Sequence, residues 1–471
     1  MQQTISNAQA YRAAPSWRTN VSERRTVIVA LAFALIWPTY LTAGLGPLNV
    51  TPARLFSLFA FIVVVYRTIV DRQRGSQLVS ILGRSPAMFG FFVLYTLWRL
   101  YCDTLGWDRA GSYVLTTLDI ISGSFFLLTL TSISSFSVQK IMLVIFWANA
   151  ILILIGLGEL AAHKSVAPFL SRFSSMSAEK LVVYGSDVYR GDIFRVRSLS
   201  SHPILFGSFV AACVPVVLHV RQTSKTKFTQ IAAVAMLALT PVIILSTNAR
   251  SAIIGGVAGL ICFQFIRFVQ VGTKSARWLT VYVLAALLSA PVVIIGAASS
   301  NVLDHVAELV QGRDRAERGS SANRLIMVRR GLTMLERRPF VGYGDGLANR
   351  VAGLVGHNGV LTIDSYYLAQ ALNFGYVGFA LNLLFLLSAL VNGFQASLNK
   401  SIPFIERSGI AALFGASVCI VICAITVTSS EYFVIIYALA ASAAATMARG
   451  RLARRALKRR NKLASHQALL S

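Results

Sequence analysis

The sequence predicts an all-α polytopic membrane protein of about 12 transmembrane helices, with a large outer loop between spans 9 and 10. Three observations lead there. Of 471 residues, 55% are hydrophobic and 13% charged, where soluble chains carry roughly 25% charged residues. Mean hydropathy is +0.65. Apolar runs recur along nearly the whole length, each close to the roughly 20 residues a helix needs to cross a bilayer. Lipid admits only helices or closed barrels, and a barrel shows short alternating segments where this chain has continuous runs.

In chain order, residues 1–26 are a polar N-terminal segment ending in Arg24 and Arg25. The first apolar run contains Trp37-Pro38 and no small-residue cleavage site follows it, so it reads as a retained span and not a signal peptide. Spans are expected near 27–45, 53–70, 86–102, 112–130 and 140–162, filling 27–162; a first outer loop covers 163–202. Four more, near 203–220, 228–246, 251–270 and 278–298, fill 203–298, and the large loop covers 299–365. Spans near 366–392, 409–427 and 432–447 fill 366–447, and a basic tail takes 448–471.

Loop charges set the orientation. With the N-terminus cytoplasmic, the short inside loops hold Arg67, Arg72, Arg74 and Arg84, then Arg221, Lys225 and Lys227, then Arg267, Lys274 and Arg277, then Lys400 and Arg407. The short outside loops hold little beyond Asp103, Asp108, Arg109 and Glu431. That is the positive-inside bias, and it accounts for the net charge of +26 without a nucleic-acid partner. The tail carries eight Lys/Arg and no acid between Arg449 and Lys462, a composition suited to anionic lipid headgroups. The five cysteines fall in or at the ends of spans with no metal-type spacing, and Cys419 and Cys423 read as packing residues.

The region from Asn323 to Gly378 is long, charged and glycine-punctuated, and it is the candidate working part. On a helical wheel Leu325, Val328, Leu332 and Leu335 form an apolar stripe, with Arg329, Arg330, Thr333 and Arg337 opposite and Arg324 at the stripe's edge. Pro339 stops that helix, and Gly342, Gly344 and Gly346 allow a tight turn; no βαβ pattern surrounds them, so this is no dinucleotide fingerprint. An amphipathic helix on the membrane surface and an arginine set for a phosphorylated substrate both fit. The first loop delivers Arg195 and Arg197 directly before His202-Pro203, and Arg250 lies between two spans at the same face. Snorkelling into headgroups is the plain alternative for each, and a cap is the plain alternative for His202. Acid–base candidates are His357 and Asp364, although His357 can belong to a structural turn, and Asp364 or Ser365 can be a helix N-cap. Polar residues of the kind that line a transport path are few within the spans, chiefly Asp119 and Glu159.

Taken together, residues 195–380 resemble the O-antigen polymerase/ligase family, membrane glycosyltransferases that use polyprenyl-pyrophosphate-linked sugars. Arg195 to Pro203 is similar to the family's arginine–glycine–(asparagine or histidine)–proline stretch, with Ser198 at the usual glycine. Ala249-Arg250-Ser251 resembles its serine–arginine–glycine helix start, Arg324 to Gly344 its arginine–helix–proline–Gly-x-Gly pattern, and Tyr366 to Gly378 its glycine-paired span. Ligase-type members place a histidine–asparagine pair just before the last of these; here that register holds Asp364-Ser365, and His357-Asn358 lies seven residues earlier. The resemblance implies a polymerase that joins lipid-linked repeat units into exopolysaccharide, O-antigen or capsule at the periplasmic face of a bacterial inner membrane. It also implies an inverting transfer with no metal or other cofactor. Arg195, Arg197, Arg250 and Arg324 would then bind pyrophosphate, and His357 or Asp364 would act as base. The expected partners are the polyprenyl-pyrophosphate-linked donor, a glycan acceptor, membrane lipid, and export or chain-length proteins. A ligase acting on lipid A core or protein, and a lipid-linked sugar flippase, are the alternatives.

Overall fold

The computed structural model describes residues 21–45, 48–134, 138–176, 187–190, 193–271, 315–355, 361–428 and 431–470, with 181 and 184 between them. The expected ninth span at 278–298 lies outside the described residues.

The chain is helical nearly throughout. It opens with α1 (Val21–Ile36), the β1–β2 hairpin (Ala43–Leu45, Leu48–Val50), α2 (Pro52–Val70), α3 (Arg72–Leu82), α4 (Pro86–Leu105) and α5 (Arg109–Ser134). Then come α6 (Val138–Ala162), α7 (Ala167–Ser171), the β3–β4 hairpin (Tyr189–Arg190, Ile193–Phe194), α8 (Pro203–Thr223), α9 (Lys227–Thr247) and α10 (Arg250–Val271). The large loop supplies α11 (Arg315–Arg337), α12 (Ala348–Ala352) and the β5–β6 hairpin (Leu354–Val355, Leu361–Thr362), before α13 (Tyr366–Leu398), α14 (Phe404–Cys423) and α15 (Val434–Leu470).

Seven described helices are long and apolar enough to cross a membrane: α2, α6, α8, α9, α10, α13 and α14. An eighth span is possible if α3 and α4, which meet at 92°, count as one. The sequence estimate of about twelve is therefore met only in part. The expected span at 27–45 is a helix of 16 residues that ends at Ile36, because Pro38 brings no backbone donor and its ring clashes with the preceding turn. α15 begins as expected but runs 37 residues, about 56 Å at 1.5 Å per residue against a hydrocarbon core of about 30 Å. Its basic half thus extends the apolar half as one rod.

The core is built on close helix contact. α8 is surrounded on nearly all sides, with Phe206, Phe209, Val210 and Val216 buried. α10 meets α14 backbone to backbone: a Cβ at Gly259 would stand 2.4 Å from the Gly415 carbonyl, and one at Gly255 would strike Cys423. Small residues at this spacing let membrane helices approach without intervening side chains. The outward faces of α2 (Phe59, Ile62, Ile69) and α9 (Phe228, Ile231, Leu245) are apolar and exposed, the surface a lipid environment covers.

α2, α5, α8, α10, α13 and α15 start on one side of the bundle, and α4, α6, α9 and α14 end there. The contacts that establish this are Arg54 to Asp119, Ser112 to Asp345, Arg195 to Thr247, Glu159 to Arg197, Tyr366 to Ala424 and Ser201 to Glu431. Both long loops emerge on this side, the loop face.

Candidate functional site

The first loop is locked onto the bundle before it reaches α8. Near the end of α6, Glu159 Oε1 accepts from Ser165 Oγ (2.9 Å) and the Val166 amide (2.8 Å), and Oε2 from the Arg197 (3.0 Å) and Ser198 (2.7 Å) amides. The residue that suggested a transport path is therefore an anchor. Arg197, expected at the substrate, is fully buried and donates from Nε to Ser165 Oγ (2.8 Å) and from Nη2 to the Tyr184 carbonyl (3.1 Å). Its guanidinium holds loop to loop. Ser198, standing at the family pattern's glycine, adopts φ +53°, a left-handed conformation that favours glycine.

Two residues earlier, Arg195 Nε donates to the Thr247 carbonyl (2.8 Å), and the Val196 amide to the Ser246 carbonyl (3.3 Å). These are carbonyls that the C-terminus of α9 leaves without helical donors, where positive charge is favoured. Asn248 closes that helix in the left-handed conformation, φ 49° and ψ 43°, and half-buried Arg250 opens α10 two residues on. Arg195 and Arg250 thus come to the same turn. His202 caps α8, its Nδ1 accepting from the Ile204 amide (3.1 Å), so the neutral ring carries its proton on Nε2. Burial, then Arg195, Arg197 and Arg324, push this imidazole down to about 3. The charges of all three arginines thus reach His202.

Arg324 arrives on α11, and here the expected apolar stripe is wrong. Leu325, Val328 and Leu332 are exposed, as on a helix lying on a membrane surface, while Met327 and Leu335 are buried and Arg324 half-buried, so the stripe is wrong only as the face that packs on the bundle. The reason is Gly331. A Cβ there would lie 2.8 Å from Leu368 Cδ1, so the bare position lets α11 lie close on α13 and turns the 324–327–331–335 line inward. A hydrophobicity wheel gives glycine no weight and misses that face. Arg324 Nε stands 3.8 Å from Asp364 Oδ2, both side chains about two-fifths exposed. Ser365, not Asp364, caps α13 by accepting from the Leu368 amide (3.4 Å), which leaves the Asp364 carboxylate to Arg324. Burial raises the Asp364 carboxyl and Arg324 opposes the rise. His357 lies outside the described residues.

After Pro339 the chain does turn tightly, and it docks into a kink that the sequence did not announce. The Tyr343 and Gly344 amides donate to the Leu372 and Asn373 carbonyls (both 2.9 Å), and the Tyr376 amide to the Pro339 carbonyl (2.7 Å). α13 breaks at Gly375 (φ 68°, ψ −177°), where a Cβ would sit 2.1 Å from the Phe340 carbonyl oxygen. The turn delivers Asp345 to Arg99, whose Nη2 donates to Asp345 Oδ2 (2.5 Å) and Asp119 Oδ2 (3.2 Å). Thr116 Oγ1 (3.1 Å) and Asn373 Nδ2 (3.3 Å) also donate to Asp345. Arg99, Asp345 and the neighbouring Glu431 were not read as site residues. The signal was an arginine and an aspartate inside apolar runs, which the membrane tolerates only when they are paired.

Beside this cluster lies a cavity of about 350 Å3 whose walls include Arg54, Tyr95, Arg99, Asp119, Asn382 and Glu431. Glu431 faces the first loop as well: its Oε2 accepts from Ser201 Oγ (2.6 Å), and Ser200 Oγ is hydrogen-bonded to Tyr432.

Residues 232–383 match the family model described as O-antigen ligase. The match takes in Arg250, Arg324 and Asp364, together with the docked turn and the kink of α13; Arg195 and Glu431 fall outside it. No curated protein matches the chain.

Proposed function

We propose that this chain, which carries an O-antigen ligase family region over residues 232–383, is a membrane glycosyltransferase that polymerises polyprenyl-pyrophosphate-linked oligosaccharide repeat units. It works at the outer face of a bacterial inner membrane, with both termini cytoplasmic. The observation that carries the reading is that Arg195 holds the turn on which Arg250 opens α10, while Arg324 stands 3.8 Å from Asp364 at the start of α13; the charges of Arg195 and Arg324 both reach His202.

In the proposed reaction an acceptor sugar hydroxyl attacks the anomeric carbon from the side opposite the diphosphate. The new C–O bond forms as the bond to the diphosphate oxygen breaks, inverting the centre; the lipid diphosphate leaves and the hydroxyl proton passes to a base. Guanidinium groups match phosphate oxygens in a bidentate fork and stabilise the charge that develops on the leaving group, so no metal is needed for that task. Arg195, Arg250 and Arg324 are the groups for it; Arg197, spent on Ser165 and Tyr184, supports their loop. On the arginine side the base is Asp364, which Arg324 orients, or His357. Export and chain-length proteins are the expected partners.

The test uses purified protein in lipid, lipid-linked oligosaccharide extracted from the source cells, a chelator and size-resolved products. The reading expects a ladder of longer glycans that Arg250→Ala abolishes. The description of the matched family favours one second reading, a ligase, which forms no ladder but transfers glycan once lipid A core is added. Movement of the lipid-linked sugar across the bilayer with no new bond would make the protein a flippase.

A further inference from the structure

The cavity beside the arginine cluster has a chemistry unlike that of the arginine face. Its volume of about 350 Å3 lies within the roughly 300–1,000 Å3 of small-ligand pockets. Its cations are already compensated: Arg99 by Asp345 (2.5 Å) and Asp119 (3.2 Å), and Arg54 by Asp119 at 3.9 Å. With Glu431 in the same wall, a diphosphate would meet carboxylates without surplus positive charge. The remaining walls mix apolar residues such as Phe92, Phe385 and Leu386 with the hydroxyls and amides of Tyr95, Tyr437, Gln370 and Asn382, which suit a neutral polyhydroxyl compound: ring faces for its C–H surface, polar side chains for its hydroxyls.

A second observation points to a ligand. Asn382 is 3% exposed and its Nδ2 donates to the Tyr366 hydroxyl (3.2 Å), yet its Oδ1 has no hydrogen-bond partner among the described residues. A buried amide oxygen without a donor is costly to keep. Asn382 itself lines the cavity, so a sugar hydroxyl that displaces the packing over that oxygen supplies the donor. Glu431, in turn, joins the cavity to the segment Ser200-Ser201-His202, which follows Arg195 and Arg197 in the chain and is reached by their charges and that of Arg324. One carboxylate thereby borders both the neutral pocket and the cationic face.

We propose that this cavity holds the acceptor sugar and that Glu431 takes the proton from its attacking hydroxyl. The inference rests on the glycosyltransferase reading and moves the base from Asp364 and His357 to the opposite wall of the site. The O–H bond breaks as the bond from oxygen to the anomeric carbon forms; the proton ends on Glu431 and the electron pair leaves with the diphosphate. Burial brings the Glu431 carboxyl up to about 7 against the hydrogen bond from Ser201, so it is basic enough to accept a proton and is increasingly ionised as pH rises through neutrality. The titratable groups facing it are Tyr40, Tyr184 and Tyr432, all raised by burial and neutral there; Arg54, Arg99 and Asp119 share the cavity wall.

Two measurements on the full protein in lipid test this. In the first, the initial rate of glycan extension on extracted lipid-linked oligosaccharide is followed from pH 5.5 to 8.5. Wild type should rise through about pH 7, whereas Glu431→Gln should fall about 100-fold or more and lose that rise with donor KM unchanged. Glu431→Asp should recover part of the rate. Retention of both rate and pH profile in Glu431→Gln overturns the assignment, as does an equal loss with a collapsed donor KM. In the second, free oligosaccharide released from the same lipid by mild acid is probed by saturation-transfer NMR. Wild type and Glu431→Gln should both bind it, and Asn382→Leu should not; undiminished binding to Asn382→Leu overturns the pocket. A wild type that forms no bond refutes the glycosyltransferase reading and the role of Glu431 together, and the binding experiment then judges the cavity by itself.

Discussion

Two arginine–aspartate pairs lie at the same end of this molecule and differ in nearly everything else. Arg99 and Asp345 meet at 2.5 Å with side chains 10% and 12% exposed. Thr116 and Asn373 serve the same carboxylate, and the Arg99 guanidinium lies over the Phe374 ring at 5.0 Å. Arg324 and Asp364 stand 3.8 Å apart with side chains 39% and 44% exposed. The first pair joins the large loop to the membrane helices and is tied by several side-chain hydrogen bonds. The second is loose and partly exposed, and is held by its helices instead of by its own hydrogen bonds. A pair that closes on itself fixes a fold; a pair left open can bind something else.

The comparison breaks most readily at Arg99. Arg99→Met leaves Asp345 buried beside Asp119 without its cation, and the loss of one partner from a buried pair costs about 3–5 kcal/mol. Thermal unfolding in lipid should show it, and Asp345→Asn in the same chain should restore part of the loss; an unchanged Tm for Arg99→Met would end the clamp account. Next comes Gly375→Ala, which puts a methyl into the Phe340 carbonyl at a left-handed φ and should destabilise by about 1–3 kcal/mol. Its signature is faster proteolysis between Pro339 and Asp345, where the turn loses its seat.

A smaller effect is set by pH. His202 is held at about 3 in the fold, below the ordinary imidazole value of about 6.5. Between those values the unfolded chain binds a proton that the folded chain refuses, so stability falls as pH drops from about 6.5 towards 3. His202→Asn keeps a good N-cap and should flatten that acid limb in a Tm-against-pH series while leaving the Tm at pH 7.5 nearly unchanged. The smallest expected effect is on the other pair: Arg324→Ala should change stability by no more than about 1 kcal/mol, the usual worth of an exposed ion pair.

Much of this was legible in the chain. The seven long apolar helices followed from continuous apolar runs, and the segments carrying Arg195, Arg250 and Arg324 stood out because charge is costly in such a sequence. The facing of α11 was not legible, since Gly331 works by lacking a side chain. The Gly342–Gly346 turn and the Asn373–Gly378 motif were each visible, but their docking depends on backbone hydrogen bonds that no residue pattern encodes. Glu431 looked like one acid in a short loop. Its position between Ser201 and the cavity comes from packing residues some 230 positions apart in sequence.

The most direct test of the central claim is the rate of glycosidic bond formation by Arg324→Ala, measured on protein whose Tm matches wild type. If the open pair serves the leaving group, the rate should fall about 100- to 1,000-fold with the fold intact, and Arg324→Lys should recover only part of it. A rate equal to wild type in that folded protein would contradict the account and return Arg324 to the membrane surface as a headgroup contact.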